Sequence, residues 1–334
     1  MQPVKSSDPA VAWKLIAYFS AVMLGAAILT PALFWAGKSF ADSVDAGGGG
    51  AFGWLASALR RGDFSRYFNR AVLITALVLV YPMVRWAGFD RSLFPKWAPA
   101  SSGLRHCLVS FIAAASLLLL LGWGLIEGGA YKLKPEPFWS SVGGALFAAF
   151  SVGFIEEFFF RGALLGLFLK SLSRMQALIW CTFIFAIVHF LKPPETFVLL
   201  PESVTWMSGF TMIGQILKSF SNLNFLLAEF LTLFAVGWVL AQARMKTGRL
   251  WVSIGLHAGW VFGLKYFSAL TFSTRALKHG DLLPWIGTNL KVGLLPFAVV
   301  LFTGWLVLRF TARKDQLALA NRKIRLQEAE PRET

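Results

Sequence analysis

The stretch Gly153-Phe154-Ile155-Glu156-Glu157-Phe158-Phe159-Phe160-Arg161-Gly162 sets three ionisable side chains inside the longest apolar run of the chain. Ionised groups at membrane depth cost on the order of a few kcal/mol each, so each one calls for a compensating partner or a task. Glu157 and Arg161 are four residues apart with the acid N-terminal, the favourable order for a helical ion pair. Glu156 is left over. One residue turns a helix by about 100°, so Glu156 faces away from its neighbour and can look into a cavity, as a general base requires.

Working outward, the surroundings of this run predict a membrane protein. Hydrophobic residues make up 56% of 334 positions and charged ones 15%, against roughly half and a quarter in soluble domains. Apolar runs near 13–36, 70–87, 105–127, 138–169, 175–191, 222–243, 250–268 and 289–310 approach the roughly 20 residues a bilayer crossing needs. The expected fold is all-α, a polytopic bundle of about eight transmembrane helices. Trp13, Trp35 and Lys38 flank the first run as interfacial anchors would, and its length exceeds a secretory leader's apolar core, so it is read as a retained helix.

The organisation read along the chain is an N-terminal transmembrane helix (1–37), a Gly-rich and amphipathic interfacial loop (38–69), transmembrane helices (70–137), a catalytic core (138–268), a last loop and helix (269–310) and a basic tail (311–334). Ala46 to Gly50 read as a hinge, and 52–68 has the spacing of an interfacial helix. The segment 192–221 opens on Lys192-Pro193-Pro194, which ends a helix, and reads as re-entrant or gating.

The formal charge of +15 sits around the apolar runs without a nucleic-acid motif, so anionic lipid headgroups, not nucleic acid, are the expected partner. Arg309, Arg313, Lys314, Arg322, Lys323, Arg325 and Arg332 assign the tail to the cytoplasm, and an even span count places the N-terminus there too. Arg244, Lys246 and Arg249 agree, whereas Arg60, Arg61, Arg66 and Arg70 in the predicted outer loop do not. The plasma (inner) membrane is the expected location. Cys107 and Cys181 are both in apolar segments and form neither a disulfide framework nor a metal pair.

His189 and His257 are the histidines within predicted spans. With Glu156 they could deprotonate a water for attack on a carbonyl, or ligate a zinc ion that lowers the water's pKa; the pattern leaves both open. Glu156 and His189 both come out about 20 Å from the hairpin that joins their helices, and His257 only about 10 Å from its own helix start. Their meeting therefore requires the first hairpin to project by about two turns. Glu229, mid-span in the sixth run, is read as mainly structural, bonded to a neighbouring helix.

Three motifs resemble the CPBP family of intramembrane proteases, which includes the CAAX prenyl endopeptidases. Glu156-Glu157-x-x-x-Arg161 is similar to its first, Phe185-x-x-x-His189 to its second, and His257 to its third, together covering about 138–268. The resemblance implies Glu156 as water-activating base, His189 and His257 as metal or oxyanion partners, Glu157 and Arg161 as supports, and a membrane peptide as substrate. The family places Asn or Asp four residues after the third-motif histidine, where this chain has Val261; Asn289, Ser253 or a backbone amide are the candidate substitutes. The competing readings are a catalytically inactive scaffold on the same fold and a proton-coupled transporter using Glu156, Glu229 and the histidines.

Overall fold

The computed structural model describes residues 9–46, 50–86, 88, 100–135, 141–191, 193–194, 197–220 and 223–329. Its helices are α1 (Pro9–Ala46), α2 (Gly53–Arg60), α3 (Phe64–Trp86), α4 (Ala100–Glu127), α5 (Val142–Glu157), α6 (Leu165–Ser171), α7 (Arg174–Val188), α8 (Ser208–Ser219), α9 (Leu223–Thr247), α10 (Trp251–Leu270), α11 (Arg275–His279) and α12 (Leu294–Ala329). A π-helical turn, Phe158–Leu164, joins α5 to α6. A two-stranded antiparallel ribbon pairs β1 (Tyr131–Leu133) with β2 (Thr271–Ser273). The protein is an all-α helical bundle. Among the described residues five helical stretches are long and apolar enough to cross a bilayer: Trp13–Val44, Phe64–Trp86, Ser102–Glu127, Val142–Ser171 and Leu294–Thr311.

The fold divides into two compact units, one from 91–187 and 224–334, the other from 6–90 and 188–223. In the first, α10 is the central element. Its residues Val252 to Trp260 are all buried, and a stripe of Gly255, Gly259 and Gly263 faces α4. A Cβ at Gly255 would strike the Cys107 carbonyl, one at Gly259 would lie 2.5 Å from the Phe111 carbonyl, and one at Gly263 would be 3.2 Å from the Leu118 side chain. Small residues one turn apart thus let the two backbones approach, as membrane helices do when packing replaces the hydrophobic effect as the cohesive force. α5 crosses α10 where Gly153 abuts Ala258, at 3.2 Å from its amide nitrogen to a Cβ built on the glycine. That crossing fixes the level at which Glu156 and Glu157 meet α10.

Outward faces of the same helices carry exposed Leu120, Trp123, Phe147, Phe154 and Phe302, the surface expected of lipid contact. Beyond the spans, Tyr131 of β1 donates its hydroxyl to the Gly287 carbonyl at 2.7 Å and packs edge-on against Phe267. Burial raises its phenol pKa above the ordinary tyrosine range.

In the second unit α1 and α3 run side by side, with Gly25 against the Thr75 methyl and Gly37 under the Tyr67 ring. The expected interfacial helix over 52–68 is broken: α2 stops at Arg60, Asp63 caps the next turn by accepting from the Arg66 amide at 2.9 Å, and α3 begins at Phe64. Of the expected hinge, 47–49 lie outside the described residues. Within 192–221 the chain forms α8, buried along Ser208, Met212 and Ile216, with Gly209 directly against the Ala27 carbonyl of α1. In the first unit the last span starts later than the predicted position 289, because 289–293 form a turn that α12 follows from Leu294.

Candidate active site

Glu157 is the last residue of α5, and its side chain and that of Arg161 are wholly excluded from solvent. The pair forms as the spacing predicts, Arg161 Nη1 donating to Glu157 Oε1 at 2.8 Å. It does so across the π-helical turn, a local widening of the helix that is frequent at functional sites and that no composition signal announces. Arg161 Nη2 donates further, to the Gly237 carbonyl of α9 at 3.1 Å, and the guanidinium lies 4.3 Å from the centre of the Phe185 ring. Gly237 is what permits this contact: a Cβ there would sit 3.0 Å from Phe185 Cδ1 and 3.2 Å from the Thr182 methyl. Phe185 and Gly237 are site-building residues that the sequence reading did not single out for this role. Phe185 stood in the second motif only as a spacer partner of His189.

His257, the residue just before Ala258 of the α5–α10 crossing and almost fully buried, reaches both acids. Its Nδ1 is 2.9 Å from Glu157 Oε1. An ionised carboxylate only accepts, so this contact assigns the ring proton to Nδ1. Nε2 then faces Glu156 Oε2 at 3.8 Å, beyond direct hydrogen-bond range. Glu156 is the open member of the cluster, with 28% of its side chain exposed against none for Glu157. The edge of Phe185 closes the other side of the imidazole, ring centres 5.9 Å apart. The arrangement is a buried, positively compensated carboxylate that orients a histidine, whose second nitrogen faces a second, partly exposed carboxylate.

Of the five residues singled out, Glu156, Glu157, Arg161 and His257 come together within one compact unit. His189, half-buried just beyond α7, belongs to the other unit. Among the described residues no three His, Cys, Asp or Glu side chains are grouped as a metal site; Glu156 and His257 offer two donors.

Val261 is half-buried on α10. Ser253, fully buried one turn before His257, has its hydroxyl bonded to the Leu250 carbonyl at 3.0 Å and also within reach of the Glu157 carboxylate, so it joins that network. Asn289 accepts from the Lys291 amide at 3.1 Å in the turn before α12, lining a different cavity. Glu229 is buried and pairs with Lys291 of that turn.

The family described as Type II CAAX prenyl endopeptidase Rce1-like matches residues 137–263. No curated protein and no solved structure matches the chain. The matched segment contains all three motifs and every residue of the cluster, and it is consistent with the CPBP resemblance. Residues 137–263 of this helical membrane protein are thus Rce1-like, similar to a family of CAAX prenyl endopeptidases.

Proposed function

We propose that the protein is an intramembrane endopeptidase in which Glu156 activates water for hydrolysis of a peptide bond in a membrane-associated substrate. The observation that carries this reading is the two-sided contact of His257, bonded to buried Glu157 through Nδ1 and directed at Glu156 through Nε2. The Glu156 carboxylate takes a proton from water, and the hydroxide adds to the peptide carbonyl carbon. The resulting tetrahedral oxyanion collapses, the C–N bond breaks, and the proton held by Glu156 passes to the departing amine. Glu157 and Arg161 act as positioning residues: they hold the imidazole so that Nε2 is presented to the reaction space.

His257 can stabilise a developing oxyanion only as the imidazolium, with Nε2–H as the donor, and His189 is the further candidate carried by the second motif. Because the described cluster offers two metal donors, no step is routed through zinc. A CAAX-like or prenylated peptide is the substrate class favoured by the Rce1-like match.

The test uses the full chain in nanodiscs with paired peptides, one farnesylated at a C-terminal CAAX cysteine and one unmodified. The expected result is cleavage of the farnesylated peptide, lost by at least about 100-fold in Glu156→Gln with the same melting behaviour. Retention of cleavage by that variant overturns the assignment of the base. Activity that survives a strong zinc chelator supports the metal-free route, and activity that is lost and restored by zinc replaces it.

A second reading, an inactive binding protein on the same fold, is favoured by apolar Val261 at the position where the family carries Asn or Asp. It predicts no cleavage of any peptide and normal partner binding in Glu156→Gln.

A further inference from the structure

At the opposite end of the α5–α10 pair lies a cleft of about 700 Å³, lined by Ser141, Gly144, Ala145 and Ala148 of the α5 side, Leu264, Lys265, Ser268 and Ala269 of α10, and Asn289 with Lys291 of the turn before α12. It is separate from the active site: Ala148 precedes Glu156, and Lys265 follows His257, by eight residues, about 12 Å along each helix. Ala148 and Leu264 of the lining are apolar, Lys265 follows Leu264 directly, and Ser141, Ser268, Asn289 and Lys291 lie toward the ends of the helices. An apolar wall beside hydroxyl and ammonium groups suits an amphiphile, and a lysine's flexible stem lets its charge reach the bilayer edge.

The charge along the lining is positive. Lys265 is exposed, Lys291 is held in place by buried Glu229, and Lys134 stands beside the lining, donating to the Ser268 and Ala269 carbonyls at 3.0 and 2.7 Å. Three ammonium groups against the one carboxylate leave a surplus cation field next to the Ser141, Ser268 and Asn289 polar groups. The Ser141 hydroxyl is shielded from solvent and has no hydrogen-bond partner among the described residues. Gly144 keeps the α5 wall open, since a Cβ there meets nothing within 4 Å. Six of the ten lining residues, from Leu264 onward, lie beyond the Rce1-like segment that ends at 263.

We infer that this cleft binds the anionic headgroup of a phospholipid, phosphate against Lys265 and Lys291 and one acyl chain along Ala148 and Leu264. The inference is independent of the peptidase reading, because lipid retention is measured without substrate. The experiment is native mass spectrometry of the full chain released from nanodiscs of phosphatidylcholine with or without one-third phosphatidylglycerol, with a parallel thermal-shift titration of inorganic phosphate. The expected result is a phosphatidylglycerol adduct retained at least about fivefold over phosphatidylcholine. Lys265→Gln should reduce it by neutralising an exposed cation, and Gly144→Leu should abolish it by filling the apolar part of the cleft. Equal retention of the two lipids overturns the inference, as does an undiminished adduct in the Gly144→Leu protein. A Lys265-dependent shift with inorganic phosphate, without lipid preference, also overturns it in favour of a free anion.

Discussion

Two buried carboxylates of the first unit, Glu157 and Glu229, solve the same electrostatic problem in different ways. Glu157 finds its cation four residues along its own helix, at zero exposure, and adds a histidine from α10 and a backbone carbonyl of α9 to the network. Glu229 finds Lys291, 62 residues away in a loop, whose side chain keeps 24% of its surface open. The first network has an accessible carboxylate beside it and a histidine between; the second anchors a turn and the wall of a cleft. A buried ion pair is thus by itself no sign of catalysis, and what distinguishes the Glu157 network is the imidazole that carries its orientation to Glu156.

The contrast is broken most severely at Arg161. Arg161→Met leaves Glu157 buried without its cation, and the expected loss is about 3–5 kcal/mol of stability, measured by denaturant unfolding in detergent micelles. The next effect is kinetic: His257→Ala should cost at least about 100-fold in kcat/KM, some 2.7 kcal/mol of barrier, with a smaller change in unfolding midpoint. Glu157→Gln sharpens the assignment of a positioning role, because it should lower kcat and alter its pH profile while leaving KM for the peptide nearly unchanged. Gly237→Ala presses a methyl on Phe185 and Thr182 and should destabilise by roughly 1–2 kcal/mol, with activity falling as the Arg161 contact is displaced. Lys291→Met is expected to cost least, about 1 kcal/mol, because its partly open side chain lets water relieve Glu229. A loss at Lys291 equal to that at Arg161 would erase the distinction between the two sites.

What could be read in advance follows the same division. The Glu157–Arg161 pair was legible because a helix of known pitch fixes which residues share a face. His257 was legible as a candidate, since an imidazole in an apolar helix stands out. Gly255, Gly259 and Gly263 form a one-turn stripe visible in the letters, though only the packed α4 shows which partner it admits. Phe185 and Gly237 could not be singled out, because a phenylalanine and a glycine in a chain with 32 and 30 of them carry no individual signal. The π-helical turn was also hidden, as the residues that form it read equally well as regular helix.

The sequence by itself determined that this is a helical membrane protein, since runs of apolar side chains leave the backbone no other way to satisfy its hydrogen bonds in lipid. It also determined the local ion pair and the motifs that mark an Rce1-like core. The tertiary structure decided which nitrogen of His257 meets which acid, which carboxylate stays open, and which lysine serves Glu229. Those relations join residues of distant sequence position through helix crossings, and crossings are set by side-chain packing between elements, which no periodicity within one element encodes.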